Sequence, residues 1–503
     1  MTIRNAAFAA GISLFALSTG AYSQTIPQAN DAYYTTGKEE LARRLGAAPR
    51  TGRAKNIILF VGDGMSVATV TASRILDGQK RGVDGESNSL AIDRFPYVGL
   101  TKTYSHNGQV SDSAPTASAM MSGVKLQNGV IGMNSSVKEK DCMAARGQEV
   151  MSLAAMAERA GLSTGVVSTA KITHATPAAV YSHTAYRDWE DESAMPAECK
   201  AAGVMDIAQQ LVKWPHGDGL EVALGGGRQH FLPTDANDPE DDGRKGNRKD
   251  GQDLLKAWTD RYSNSGAVVW NKDQFDKIDI KNTKHLLGVF ERSHMEYESD
   301  RAKDKGGEPS LADMASKAID MLAQNERGFF LMVEGGRIDH AHHAGNAHRA
   351  LEDTLAFDAA IKRAMEKVNL DETLIVVTAD HSHTLTMSGY PKRGNPILGV
   401  VVDEKGEMSK GTDGKPYTTL AYTNGPGAIK DQARADLSNV DTKAPDFIQQ
   451  ALVPIESETH AGDDVAVYAV GPWAHLFQGT MEQNTVFHIM DHATKLTERH
   501  AAK

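Results

Sequence analysis

The chain has 503 residues, with 54 Lys or Arg against 65 Asp or Glu and a formal net charge of −11. This length is more than one small core needs, so we expect a main α/β domain that carries insertions. The acidic balance without a basic block excludes nucleic acid as the expected partner. An acidic protein that acts on anions needs a local positive site, which bound metal ions supply.

The first residues have the pattern of a secretory signal peptide. Arg4 precedes an apolar run over 6–17, and small residues flank Tyr22 ahead of a cleavage point near Ser23. The alternative, a membrane anchor, needs about 20 apolar residues. We therefore predict a signal peptide at 1–23 and an exported protein, either periplasmic or secreted.

The remaining chain divides by composition. Residues 24–54 are polar and small without a sustained period, which predicts an N-terminal arm with a helix. Residues 55–503 are expected to form one catalytic domain. Two polar stretches within it, at about 233–310 and 403–442, predict surface insertions.

Four continuous apolar runs predict strands that are buried on both faces. They cover 56–61, 165–169, 329–333 and 373–378. Helix-like segments alternate with them, at 149–160, 314–324 and 347–365. This alternation predicts a doubly wound, mostly parallel central sheet flanked by helices.

The segment 111–121 predicts a loop that enters a helix of small residues, with Pro115 in the first turn. Ser113 would then lie at the helix N-terminus, where backbone N–H groups favour an approaching phosphate. The alternative is that Ser113 only caps the helix. This segment alone leaves both interpretations open.

Residues of the types that bind metal ions follow each predicted strand. They are Asp63, His174, Thr176, Glu334, Asp339, His343, Asp380 and His381. A lone Asp or His after a strand is usually a turn former or a helix cap. Four coincident strand ends instead favour a metal centre, because ligands gather at the carboxyl edge of such sheets. Carboxylates with imidazoles suit zinc, whereas an oxygen-rich set with a hydroxyl suits magnesium.

Asp339 and His343 are four residues apart, so they would face the same way on a helix and share one metal. Further histidines crowd this region, and not all of them can be ligands. For His342, His348 and His383 we expect a place behind the ligands or at the surface.

The chain has two cysteines, Cys142 and Cys199. Because an exported protein meets an oxidising compartment, one disulfide between them is the leading interpretation. Two free or buried thiols are the alternative.

Six motifs together resemble those of the alkaline phosphatases. They are VGDGM at 61–65, DSA at 112–114, THATP at 173–177, VEGGRIDH at 333–340, TADH at 378–381 and ETHAG at 458–462. One such motif would be a weak signal, whereas six in the family's order are highly specific. The resemblance implies an alkaline-phosphatase-like fold and the hydrolysis of phosphate monoesters through a covalent phosphoserine.

The resemblance also implies roles for individual residues. Ser113 would be the nucleophile, and Arg187 would clamp the phosphate. Two Zn²⁺ and one Mg²⁺ are implied for each subunit. The implied ligands are Asp339, His343 and His460 for the first zinc, Asp63, Asp380 and His381 for the second, and Asp63, Thr176 and Glu334, with His174 beside them, for magnesium.

Two positions vary within the family. His174 stands where some members carry Asp, and this imidazole is expected to weaken the magnesium site or open it to zinc. His340 stands where some carry Lys, and it would reach phosphate only through water. Glu240, Glu291 and Glu308 resemble a calcium site in some relatives, with an acidic surface loop as the alternative.

Other functions fit less well. A sulfatase needs Arg where Ala117 stands, and a non-catalytic binder needs neither a nucleophile nor an arginine clamp. Phosphodiesterase activity stays open. The resemblance further implies a homodimer, and the end at 499–503 lacks the hydrophobic tail of a lipid-anchor signal. Small phosphate monoesters are the expected substrates, with no membrane anchor.

Overall fold

The computed structural model describes residues 27–430 and 433–501, so the predicted signal peptide at 1–23 lies outside the described residues. The chain divides into two compact units after Ala48. The first contains a 3-10 turn, Pro27–Asn30, and helix α1, Ala32–Leu45. Asp31 caps this helix by accepting a hydrogen bond from Tyr33 N at 2.8 Å.

The second unit contains the remaining helices. They are α2 Val67–Lys80, α3 Ser113–Ser122, α4 Leu153–Arg159, α5 Ala175–Ala178, α6 Ala197–Ala201, α7 Ile207–Val212, α8 Leu254–Arg261, α9 Lys272–Asp276, α10 Leu311–Leu322, α11 Arg337–His343, α12 Ala347–Lys367, α13 Thr485–Thr494 and α14 Leu496–Ala501. Short 3-10 turns cover Ile92–Arg94, Glu192–Ala194, Arg228–His230, Arg301–Lys303 and Ala474–Leu476.

The strands of the described residues all lie in the second unit. They are β1 Asn56–Gly62, β2 Tyr97–Lys102, β3 Ser163–Lys171, β4 Val222–Gly226, β5 Gly266–Val269, β6 His285–Val289, β7 Phe329–Gly335, β8 Thr373–Ala379, β9 Ser382–His383, β10 Leu385–Met387, β11 Leu420–Gly425, β12 Ala451–Pro454, β13 His460–Ala461, β14 Val465–Val470 and β15 Gly479–Glu482.

Ten strands form the central sheet, in the order β15-β2-β14-β8-β1-β7-β3-β4-β6-β5. Only the pairs made by β14 are antiparallel, and the strands from β8 to β5 run parallel. The predicted doubly wound, mostly parallel sheet is therefore confirmed. The four predicted strands are β1, β3, β7 and β8, and they are neighbours at its centre.

Both faces of the sheet are covered by helices, which explains why its central strands are apolar throughout. Ile57, Leu59 and Val61 of β1 pack into one core with α3, α4, α7, α8, α13 and α14. Ile58 and Phe60 point to the opposite core, with α2, α10 and α12. Alternate residues of one strand therefore serve two cores.

The polar stretch at 233–252 is anchored by buried ion pairs, although it has almost no apolar residues. Arg228 Nη2 lies 2.6 Å from Asp238 Oδ1, and Arg248 Nη2 lies 2.9 Å from Asp206 Oδ2. Both arginine side chains are fully buried. Further along, β5 and β6 extend the central sheet. In the second polar stretch, β11 pairs with β10 and β12 in a small sheet.

Cys142 and Cys199 form a disulfide, as predicted, across a separation of 57 residues. It lies in a small core with Trp189 and Met195. Among the helices of residues 27–430 and 433–501, none combines the length and apolar composition needed to cross a bilayer.

Candidate active site and metal centre

Three carboxylates meet at the carboxyl ends of the central strands. β1 lies between β7 and β8, and its last residue, Gly62, is in register with Gly335 and Ala379. Asp63 and Asp380 follow β1 and β8 directly, and Glu334 is the residue before the last one of β7. All three side chains are fully buried. The parallel register therefore brings together acids that lie far apart in sequence.

Ser113 is the first residue of helix α3, and it is not the cap. The cap is Asp112, whose Oδ1 accepts a hydrogen bond from Ala114 N at 2.8 Å. The alternative that Ser113 only caps the helix is therefore wrong. Ser113 Oγ lies 3.0 Å from His381 Nε2 and 3.4 Å from Asp63 Oδ1.

A first group of ligand atoms surrounds this serine. His381 Nε2 lies 3.3 Å from Asp63 Oδ1 and 3.3 Å from Asp380 Oδ2. His381 is fully buried, and its other nitrogen, Nδ1, has no hydrogen-bond partner in the described part of the chain. We call Asp63, Asp380 and His381 the serine-side group.

A second group consists of Asp339, His343 and His460, which we call the outer group. His343 Nε2 and His460 Nε2 lie 3.1 Å apart, and each is 3.3 Å from Asp339 Oδ1. Helix α11 presents Asp339 and His343 on one face, as their spacing predicted. His460 comes from β13, and its Nδ1 donates to Ser111 O at 2.8 Å. Helix α11 and strand β13 thus converge on one point.

A third group contains Asp63, Glu334, His174 and Thr176. Ligand atoms of the first three lie within 4.8 Å of one another. Asp63 Oδ2, Glu334 Oε1 and Thr176 Oγ1 are buried oxygens that lack a hydrogen-bond partner among the described residues. Ser168 Oγ donates to the other Glu334 oxygen, Oε2. This set is rich in oxygen, with one imidazole at its border.

The negative charge of these three groups favours bound cations. Burial, followed by repulsion from Asp380 and Asp339, raises the pKa of Asp63 well above its usual range. Burial likewise raises the pKa of Asp380, and it raises that of Glu334 to about 7. Buried acids with unpartnered oxygens fit divalent cations, which compensate the negative charge and satisfy those oxygens. The donor sets thus fit zinc and magnesium.

Two residues behind the outer group hold its ligands in place. His383 Nε2 lies 2.7 Å from Asp339 Oδ1, and His383 Nδ1 lies 2.5 Å from Glu458 Oε2. Burial opposes a charge on His383, but the hydrogen bonds to Asp339 and Glu458 raise its pKa to about 9. The backbone oxygen of Glu458 accepts from His343 Nδ1 at 2.5 Å. One residue therefore orients two histidines.

Arg187 connects helix α3 to the third group. Its Nη1 donates to Asp112 Oδ1 at 3.0 Å, and its Nη2 donates to His174 Nε2 at 3.0 Å. Asp112 therefore orients Arg187 from the cap of α3 while its other oxygen accepts from Gly129 N at 2.6 Å. A guanidinium held in this way offers planar donors beside Ser113.

The remaining histidines differ in their surroundings. His342 is fully buried between Thr69 Oγ1 at 3.0 Å and Tyr422 OH at 2.8 Å, and its ring stacks on that of His383 behind the outer group. His348 Nδ1 lies 3.1 Å from Lys443 O. His340 lies with its ring beside His174, at a centroid distance of 5.3 Å. His294, which the sequence did not single out, contacts both of those rings.

The acidic residues that resemble a calcium site are held by the protein itself. Glu240 accepts hydrogen bonds from Arg228 Nη2 at 2.9 Å and from Gly306 N at 2.8 Å. Glu308 accepts from Glu296 N at 3.1 Å. Burial, followed by repulsion from Glu240, raises the pKa of Glu291 to about 9.

Comparisons with known proteins identify similar chains. The family model described as alkaline phosphatase matches residues 54–496. The tissue-nonspecific alkaline phosphatase of Gallus gallus is 45% identical over 447 residues, which cover 88% of this chain and 84% of that protein. The alkaline phosphatase of Gadus morhua is 44% identical over 446 residues, covering 88% and 92% of the two chains.

Solved structures agree in fold. The alkaline phosphatase of Thermus thermophilus superimposes with a TM-score of 0.63 at 24% identity, covering 90% of this chain and 94% of that one. The alkaline phosphatase of the Antarctic bacterium TAB5 gives a TM-score of 0.60 at 22% identity, covering 89% and 99%.

Proposed function

The chain belongs to the alkaline phosphatase family and hydrolyses phosphate monoesters with metal ions, and we propose that Ser113 is its nucleophile. Its Oγ stands at the N-terminus of α3, 3.0 Å from His381 Nε2. The backbone N–H groups of that terminus face an approaching phosphate and favour its negative charge. The proposal rests on this position of Ser113 Oγ at the N-terminus of α3.

We propose three metal sites, one for each ligand group. The serine-side group and the outer group would each hold Zn²⁺, and Asp63, Thr176 and Glu334 would hold Mg²⁺ with His174 beside them. When bound, these cations act as Lewis acids that compensate the charge of the reacting oxygens. The unpartnered oxygens of Asp63, Glu334 and Thr176 support this assignment.

The hydrogen bond between Ser113 and His381 has a second interpretation, in which His381 is a general base. A base of that kind is oriented by a third group on its other nitrogen. His381 Nδ1 has no such partner among the described residues, whereas His381 Nε2 faces two carboxylates at 3.3 Å. We therefore propose His381 as a metal ligand.

The reaction proceeds by double displacement. Arg187 binds two non-bridging oxygens of the phosphate, and Asp112 holds Arg187 in orientation. Ser113 Oγ forms a bond to phosphorus as the ester P–O bond breaks, the serine proton passes to the leaving oxygen, and the alcohol leaves. Water then attacks the phosphoserine, which releases inorganic phosphate and returns the proton to Ser113. His340 touches phosphate only through water.

We further propose an exported homodimer. A disulfide between Cys142 and Cys199 is typical of oxidising compartments, in the periplasm or outside the cell. Strand β12 is an edge strand with exposed apolar side chains, including Leu452 at 78% and Val453 at 47% exposure. Exposed edges of this kind are usually covered, and a second copy of the chain is the proposed cover.

Hydrolysis of a chromogenic phosphate monoester tests this function. The purified protein should release the chromophore at alkaline pH, lose activity after dialysis against a chelator, and recover it when Zn²⁺ and Mg²⁺ are returned. Activity that persists in metal-free protein would contradict the metal assignment. Turnover of diesters but not monoesters would contradict the substrate class.

A further inference from the structure

The rings of His174, His294 and His340 meet beside Arg187, which donates to His174 Nε2 at 3.0 Å. His294 has no part in the proposed reaction. The ring centroids of His294 and His174 are 5.3 Å apart, and those of His294 and His340 are 4.1 Å apart. The rings come from three separate places, which are the cap of α5, the loop after β6 and helix α11. All three side chains are partly buried, so a chance contact of surface histidines does not explain this arrangement.

The loop that carries His294 is fixed on both sides. Ser293 O accepts a hydrogen bond from Gly227 N at 2.6 Å, and Met295 N donates to Thr169 O at 3.1 Å. A side chain at Gly226 would collide with the backbone oxygen of Ser293. The loop therefore lies close against the ends of β3 and β4, and Lys171 N donates to His294 Nδ1 at 3.2 Å.

Each of the three rings also meets a group that only donates hydrogen bonds. The pairs, with the donor first, are Lys171 N with His294 Nδ1 at 3.2 Å, Arg187 Nη2 with His174 Nε2 at 3.0 Å, and Arg337 Nη1 with His340 Nδ1 at 3.2 Å. A ring nitrogen that accepts a hydrogen bond carries no proton, and a neutral imidazole has one proton. The proton must therefore lie on the other nitrogen of each ring.

These other nitrogens are His174 Nδ1, His294 Nε2 and His340 Nε2, and all three are donors. His174 Nδ1 is buried without a hydrogen-bond partner in the described part of the chain. The hydrogen bonds of His294 to Lys171 N and of His340 to Arg337 Nη1 both use Nδ1, which leaves Nε2 of each ring for a ligand. His174 also borders the proposed magnesium group, within 4.8 Å of acceptors on Asp63 and Glu334. A nitrogen that carries a proton has no lone pair for a metal, so these donors suit an oxyanion.

We propose that His294 donates its Nε2–H to a phosphoryl oxygen of the substrate, in an oxyanion subsite that His174 and His340 line, with His340 reaching that oxygen through water. This inference rests on the proposed function, because the phosphate bound by Arg187 brings such an oxygen next to the rings. The oxygen belongs to the transferred phosphoryl group or to the adjacent phosphoryl group of a diphosphate. In both cases His294 determines how tightly the phosphorylated substrate binds.

Two variants of the metal-loaded protein separate the N–H donor from the ring itself. His294→Phe keeps the ring contacts and removes the donor, so we expect the KM for a phosphate substrate to rise about tenfold. His294→Gln places an amide N–H near the same point, so its KM should stay within about threefold of the wild type. His488→Phe alters an exposed histidine of α13 and should leave KM unchanged. His294→Asn, which keeps an acceptor for Lys171 N, replaces the Phe variant if that variant does not fold.

The source of the oxygen is tested with an aryl phosphate and inorganic pyrophosphate. A rise in KM for both substrates identifies the transferred group, and a rise for pyrophosphate alone identifies its neighbour. An unchanged KM for both in His294→Phe would overturn the subsite, as would the loss of a bound metal ion from that variant.

Calorimetry supplies a readout that does not depend on turnover. In the metal-loaded Ser113→Ala background, His294→Phe should bind inorganic phosphate about tenfold more weakly. Equal affinity would overturn the subsite. The proposed function fails separately, if the wild-type protein hydrolyses neither substrate.

Discussion

His383 Nε2 lies 2.7 Å from Asp339 Oδ1, although His383 is not one of the proposed metal ligands. Glu458 holds the opposite nitrogen at 2.5 Å, and together the two carboxylates keep His383 protonated. Burial works to raise the pKa of Asp339, but His343, His383 and His460 hold it well below its usual range. Asp339 is therefore kept ionised, in the form that binds metal.

Replacing His383 should weaken metal binding at the outer group. We expect His383→Ala to lower the affinity for zinc by about 10- to 100-fold, because Asp339 loses the donor that orients it. Zinc competition against a chromogenic chelator measures this change. The conservative His383→Gln variant should recover part of the affinity, and equal affinity in the Ala variant and the wild type would contradict the role.

Arg187 should act mainly through phosphate binding. We expect Arg187→Lys to raise the KM for a phosphate monoester by roughly tenfold, because Lys lacks the planar pair of donors. Inhibition by inorganic phosphate should weaken to the same extent. Asp112→Asn removes the charge that holds Arg187 at 3.0 Å, and a smaller change in the same direction is expected. A loss of kcat without any change in KM would contradict the clamp.

The disulfide should contribute to stability and not to chemistry. Cys142→Ser should lower the free energy of unfolding by about 2–4 kcal/mol, because the unfolded chain loses a closed loop. Thermal unfolding of the metal-loaded protein should show a lower midpoint. The double variant with Cys199→Ser should match the single variant, and equal stability of all three proteins would contradict the prediction.

Glu158 is predicted to make stability depend on pH. It is 5% exposed, and burial, followed by repulsion from Glu221, raises its pKa to about 10. The folded chain then holds a proton that the unfolded chain releases above the ordinary glutamate pKa of 4.5. Stability is therefore fully present below that value and is lost as the pH rises towards 10.

Glu158→Gln removes this titration and keeps an acceptor for Thr164 Oγ1, which lies 2.7 Å from Glu158 Oε1. From neutral pH to about pH 9.5 the variant should lose less stability than the wild type, by at least about 1 kcal/mol. Glu404→Gln, on the surface, should behave as the wild type does. If stability, measured by thermal unfolding, changes with pH in the same way for all three proteins, the prediction is contradicted.

The central strands and the residues after them were predictable because a strand buried on both faces is apolar throughout. That pattern marks Asp63, Glu334 and Asp380 as residues at one sheet edge. Parallel register then brings them together without further information. The disulfide was predictable as well, since the chain has only two cysteines.

Other parts of the site depend on contacts that a single sequence does not encode. Nothing in the sequence around His383 or Glu458 shows that one holds Asp339 and the other holds two histidines. His294 lies in a polar stretch that has the pattern of a surface insertion, yet its loop returns to the end of β3. Arg248 is buried in the same stretch by ion pairs, which leave no apolar period.

Covalent trapping shows whether Ser113 accepts the phosphoryl group. The metal-loaded protein is mixed with labelled inorganic phosphate, quenched in acid and digested, and the label is located by peptide mass spectrometry. The account predicts phosphate on Ser113, no label in Ser113→Ala, and a loss of turnover in that variant of at least about a thousandfold. Unlabelled Ser113 together with full activity of Ser113→Ala would contradict it.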